Sequence, residues 1–210
     1  MNYSDLLQTQ SFKGMFIHPR KCFRSLCCQF HSWTFLLSCR RKGVNVSIGN
    51  NCVLNHCFIK SSGQSEIIIE DNCSLDYCSF LFYGGGGSVI IHQGTTINSS
   101  KGARTCLYVR GETSIEIGKN CLIAHSVDIC TTDFHKVFDG EGGVMNIDSS
   151  VVIGEHVWIG KRATINKGVR IPSDSIVGAS SVVTKAFTIP NVLIAGNPAV
   201  IRKQGITWKR

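Results

Sequence analysis

Over residues 151–186 an aliphatic side chain recurs at every sixth position, at Ile153, Ile159, Ile165, Ile171, Val177 and Val183. Two positions before each stands a small or medium residue: Val151, Val157, Ala163, Val169, Ser175 and Ser181. One position after stands Gly154, Gly160, Asn166, Pro172, Gly178 or Thr184, mostly turn formers. An amphipathic helix repeats its apolar positions near 3.6, and a half-buried strand near 2. A period of six fits neither as one continuous element. It fits a short strand, a corner and another short strand, which predicts an all-β chain wound as a parallel β-helix. Three such hexads close a triangular coil of about 18 residues, and each coil buries its aliphatic residues only against its neighbours.

The same pattern runs less regularly through the earlier chain. Ile117, Ile123 and Ile129 mark one more coil, with Ile115, Cys121 and Val127 two positions before them. Ile69, Leu75 and Leu81, preceded by Ile67, Cys73 and Ser79, are expected to form another. Ile48 with Leu54, and Ile91 with Ile97, read as partial coils. The phrases IGNNCVL, IEDNCSL, IGKNCLI and IGEHVWI open successive coils, at starts 48, 69, 117 and 153. The start at 91 falls between the second and third of these. The longest interval contains CTTDFHKVFDGEGGVMNIDSS, which must project as a loop, and long loops on rigid scaffolds concentrate function. The pattern divides the chain into a cap segment 1–43 of helix and loop, a β-helix domain 44–186 with the loop at 130–150, and a C-terminal cap 187–210. The glycines at 84–87 read as a flexible corner insertion.

Charge and cysteine usage narrow the class. Residues 1–43 hold seven Lys and Arg against Asp5 alone, so most of the net charge of +8 lies there. Interleaved with Phe12, Phe16, Phe23, Phe30, Trp33 and Phe35, this segment reads as a basic amphipathic helical cap, with peripheral contact to an anionic membrane as its other possible use. No apolar run is long enough for a membrane span, and Arg24 and His31 break the only region resembling a secretory signal. The chain therefore reads as soluble and cytoplasmic. Eleven cysteines are an odd number, and Cys52, Cys73 and Cys121 each follow Asn at equivalent repeat positions, so they read as reduced core residues. No second CxxC-type partner or suitably spaced His suggests zinc.

Acyl transfer to a hydroxyl requires a general base, donors for the tetrahedral oxyanion and a groove for the acyl carrier. Histidine suits the base because its unperturbed pKa lies near working pH. Of seven histidines, only His135 sits on the long loop, while His125 and His156 sit on the coils beside it. By chemistry alone all three stay open. Asp133 and Asp128 are possible orienting partners, and an extended backbone would place Asp133 and His135 on one side.

IGKNCLIAHSVDI, TTDFH, VVIGEHVWIGKRATINKGVRI, IVGASSVVTK and AGNPA, in that order over residues 115–202, resemble the hexapeptide-repeat O-acetyltransferases. That family includes galactoside and maltose acetyltransferases, and the likeness is greatest to those modifying bacterial capsular or lipopolysaccharide sugars, polysialic acid among them. The resemblance implies a left-handed β-helix, a homotrimer with sites between subunits, acetyl-CoA as donor without a metal, and a sugar or polysaccharide acceptor. It implies His135 as base and Trp158 beside the acetyl-CoA arm, where its indole N–H can donate. It implies Gly178 and Ala179 at the pantetheine amides, with Thr184, Lys185 and Arg202 at the nucleotide end. NPAVIRK is one residue shorter than the family spacing and lacks a second basic residue, so the phosphate end departs from the pattern.

Two rivals share the periodicity. A zinc hydratase resembling γ-class carbonic anhydrases needs an HxxxxH pair, and VWIGKRATINKG contains no histidine. A non-catalytic scaffold leaves the TDFH loop and the VWIG tryptophan without a purpose. Nucleic-acid binding has only charge to support it, with no accompanying motif.

Overall fold

The computed structural model describes the backbone from Cys22 to Arg210 and the side chains from Ser32 onward; residues 1–21, about half of the basic cap segment, lie outside the described residues. The chain winds as a left-handed parallel β-helix with three sheets as the faces of a triangular prism. Face one runs from Val44–Ile48 to Arg170–Ile171, and face three from Phe58–Ser61 to Val182–Val183, each of six strands. Face two begins at Val53–Asn55, passes through Trp158–Ile159 and Ile176–Val177, and continues into Val192–Gly196. Strand Ala199–Gln204 then pairs antiparallel on its edge. Ile153, Ile159, Ile165, Ile171, Val177 and Val183 all point inward and are buried. Each sits in register on its counterpart one coil away, as Ile123, Ile159, Val177 and Ile194 do on face two.

The corners explain the recurring phrases. Asn51, Asn72, Asn120, His156 and Asp174 turn the first corner, between faces one and two, with φ between 52° and 60°. Asn and Asp tolerate this left-handed region better than other residues with a Cβ. Beside it, Cys52, Cys73 and Cys121 donate their thiols to the Glu70, His92 and Gly154 carbonyls of the next coil at 3.0, 3.3 and 3.1 Å. The described cysteines are all free thiols, and burial pushes Cys121 up to about 11. The glycines at 84–87 form a close-packed third corner: a Cβ on Gly87 would meet Val109 at 2.6 Å, and the Gly86 amide donates to Gln64 at 2.7 Å.

One expected coil is shifted. Leu81 and Ser79 point outward, and Cys78, Phe80 and Phe82 fill the interior instead. The corner after Leu75 contains only Asp76 and Tyr77, one residue fewer than Ala124, His125 and Ser126 after Ile123, so the inward phase advances by one. The helix α1 (Cys22–Arg41) closes the N-terminal end of the prism with Phe35 and Cys39, and the Phe35 ring lies 5.6 Å from Phe80. Among the described residues no helix is long and apolar enough to cross a membrane. After residue 204 the chain does not simply cap the end. It runs back along the first corner, where Trp208 is buried against His156 and Arg210 reaches the Cys121 carbonyl.

His92 on face one bridges three coils, with Nδ1 3.0 Å from Glu70 and Nε2 3.0 Å from Glu116; Lys119 lies near the same cluster. Burial opposes its protonation, but bonds from both carboxylates outweigh this and raise its pKa. The Gln93 amide, then His92, lowers that of Glu70. A raised histidine stabilises the fold fully below its unfolded value, near 6.5, and loses that contribution as pH rises through the higher folded one. The depressed Glu70 loses its contribution as pH falls through its folded value. Denaturation midpoints should therefore decline as pH rises from about 6.5 through the raised folded value, and His92→Gln should flatten that limb. An unchanged profile in the variant would show that the cluster carries no linkage.

Candidate active site

The loop 131–150 leaves from the third corner, between faces three and one, and is fixed at several points. The Ser149 amide closes its base on the Thr131 carbonyl at 2.9 Å. Phe134 adopts φ 64° and packs edge-on against Tyr83 and Tyr108, 5.6 and 5.4 Å away. Arg110 donates to the Phe134 carbonyl. Asp133 pairs with Lys167 at 2.6 Å, and that lysine holds its carboxyl below the ordinary range. Asn146 clamps the interior: its Nδ2 donates to Asp133 and to the His135 carbonyl, and its Oδ1 accepts from the Val137 amide. Asp139 accepts from the Glu141 and Gly143 amides and turns the tip.

This network presents His135 outward on a braced main chain. Its imidazole is exposed and has no side-chain partner among the described residues. The extended backbone expected at Asp133–His135 is absent. The positive φ of Phe134 reverses the chain so that the His135 amide donates to the Asp133 carbonyl at 2.8 Å. The Asp133 carboxylate is engaged by Lys167 and Asn146, and Asp128 lies on strand Asp128–Cys130, where burial raises its pKa.

The other candidate residues are dispersed. Trp158 projects from face two between Leu122 and Ile176, with the Trp208 ring 6.1 Å away. Gly178 and Ala179 turn the second corner, between faces two and three, against Gly160, where an added Cβ would meet the Ala179 nitrogen at 2.6 Å. Thr184 and Lys185 are exposed on the third corner, two coils beyond the loop and so about 10 Å along the axis. Lys185 borders a cleft of about 380 Å³ with Val200 and Ile201. Arg202, on the neighbouring strand, donates from Nε to the Ala195 carbonyl at 3.1 Å. His156 is stacked on Trp208 at 4.3 Å and bonded to Asp174 at 2.9 Å, and His125 lies at the second corner. Three candidate histidines thus occupy three different corners.

The third corner is opposite face two in the triangle, so His135 and Trp158 face away from each other within one chain. The anchors Tyr83, Tyr108, Arg110, Asn146 and Lys167 escaped the sequence reading because they come from separate coils or mid-loop. Trp208 carried a signal, a lone large aromatic in a polar tail. Among the described residues no three His, Cys, Asp or Glu side chains gather to hold a metal ion.

Residues 150–185 match the family model described as bacterial transferase hexapeptide (six repeats). The chain is 36% identical over 169 residues to the polysialic acid O-acetyltransferase of Neisseria meningitidis, covering 79% of this chain and 75% of that protein. The solved structure of the polysialic acid O-acetyltransferase OatWY superposes with a TM-score of 0.75 at 35% identity, covering 80% of this chain and 77% of that one. The galactoside O-acetyltransferase of Escherichia coli K12 is 38% identical over 93 residues, 43% of this chain and 44% of that protein.

Proposed function

The chain belongs to the hexapeptide-repeat O-acetyltransferases, and from that premise we propose that it moves an acetyl group from acetyl-CoA to a sugar hydroxyl of a bacterial surface polysaccharide or its precursor. The observation that carries this reading is His135, held outward on a braced loop with its imidazole free to take a proton. The acceptor hydroxyl gives its proton to His135 as its oxygen attacks the thioester carbonyl carbon. The tetrahedral intermediate then collapses, the C–S bond breaks, and the imidazolium returns the proton to the departing sulfur. Trp158 lies along the acyl arm of the donor. The small residues Gly178 and Ala179 let the pantetheine approach the backbone amides, and Thr184, Lys185 and Arg202 receive the nucleotide end.

His135 and Trp158 cannot meet in one prism, so the site is assembled between copies in a homotrimer. The loop supports this: Met145 and Ile147 are 67% and 72% exposed, apolar surface that a neighbouring chain would cover. The donor is a cytoplasmic thioester, which places the reaction in the bacterial cytoplasm. Acetyl-CoA turnover against a panel of sugars, nucleotide sugars and polysaccharides tests the proposal. Ester formation on a sugar is the expected result; transfer to amines alone, or no transfer, would overturn it.

A further inference from the structure

The strongest unassigned feature is a cleft of about 610 Å³ at the second corner of the N-terminal coils, lined in part by His56, Phe58, Tyr77, Lys101 and Arg104. Residues 99–104 create it by departing from the six-residue period. A turn closed by the Ala103 amide on the Ser100 carbonyl at 3.0 Å carries Lys101 outward. Arg104 is anchored by neutral acceptors: Nε donates to Ser79 Oγ at 2.8 Å and Nη2 to the His56 carbonyl at 2.6 Å. Neither Arg104 nor Lys101 has an ion-pair partner among the described residues. The guanidinium lies 5.6 Å from the Tyr77 ring and 6.0 Å from that of Phe58. Tyr77 stacks on His56 at 4.5 Å, and Phe58 is half exposed.

A guanidinium without an ion-pair partner among the described residues therefore stands beside the Tyr77 and Phe58 rings, with Lys101 lining the same cleft. Such rings pack against the C–H faces of a pyranose, and Arg and Lys take carboxylates by charge-assisted hydrogen bonds. From the cleft, the outer side of face three leads toward the loop. Lys60 lies 5.3 Å from the Tyr83 ring, Tyr108 and Arg110 follow in register on the next coil, and the two tyrosines hold Phe134 beside His135. Of the acidic groups near this path, Asp76 is bonded by Asn55 and Asp148 is engaged by Lys136 and Arg110, while Asp128 stands one coil beyond Cys106. The six-residue strand Cys78–Tyr83 spans about 20 Å, room for more than one sugar ring.

The geometry points to a second acceptor subsite: the cleft binds a carboxylate-bearing sugar of an acidic polysaccharide, whose chain crosses face three so that another residue of the same polymer meets His135. This rests on the sugar-acceptor reading and names the acceptor's chemical class. The test uses the full chain with polysialic acid as probe, its carboxyl-reduced form as neutral control, and N-acetylneuraminic acid as short acceptor. Lys101→Gln, on an exposed turn, should raise Kd and KM for the polymer about tenfold while leaving kcat/KM for the short acceptor unchanged. Arg104→Gln should do the same, and if the lost bonds to Ser79 and His56 unfold it, Lys101→Gln decides alone. The carboxyl-reduced polymer should bind weakly and ignore both changes.

Wild-type polymer affinity in Lys101→Gln would overturn the proposal. So would an equal loss for the neutral polymer, or single-stranded DNA binding the cleft more tightly than polysialic acid. Because Kd is read by calorimetry without acetyl-CoA, a protein that binds the polymer through this cleft yet acetylates no sugar would refute the catalytic reading alone.

Discussion

Replacing His135 by alanine is expected to lower kcat by about two to four orders of magnitude, the usual contribution of a positioned general base. The imidazole takes part in no hydrogen bond of the loop network, so its removal should leave the loop folded. The anchors are the Phe134 ring between Tyr83 and Tyr108, the Asp133–Lys167 pair and the Asn146 clamp, and the variant keeps all of them. Oligomeric size and acetyl-CoA binding should then match the parent while turnover collapses. Near-normal kcat would transfer the base role elsewhere. His156 would be a poor substitute, since Trp208 stacks on its ring and Asp174 holds Nδ1.

Mixing two inactive variants should restore activity if the site is shared between chains. His135→Ala removes the base and leaves the donor side intact. A blocking substitution on the donor side is best placed at exposed Ala179, as Ala179→Trp, because a Cβ at Gly178 would already meet Ala195 at 2.9 Å and endanger the fold. In trimers formed by random exchange at equal ratio, each interface pairs an intact loop with an intact donor face about one time in four, so about a quarter of parental activity should return. Sizing and mass measurements establish that both variants fold and exchange. Mixed trimers with no recovery would mean that each site lies within one chain, and a monomer at micromolar concentration would exclude the shared site altogether.

The sequence by itself determined the architecture of residues 151–186. A period of six has only one way to bury its aliphatic positions, and every one of them is inside. It also singled out the loop and its histidine, because a long excursion in a regular repeat is visible without coordinates. It failed where one residue changed the phase: the two-residue corner at Asp76–Tyr77 put Phe80 and Phe82 in the core in place of Leu81, and corner length is not encoded in hydrophobicity. Only the tertiary structure decided where the candidate residues stand around the prism. Winding converts sequence distance into an angle about the axis, so His135 and Trp158, 23 positions apart, end on opposite sides, while Asp133 and Lys167, 34 apart, form an ion pair at 2.6 Å. The cleft at Arg104 has the same origin. His56, Tyr77 and Arg104 come from successive coils, and only stacking those coils brings their side chains together.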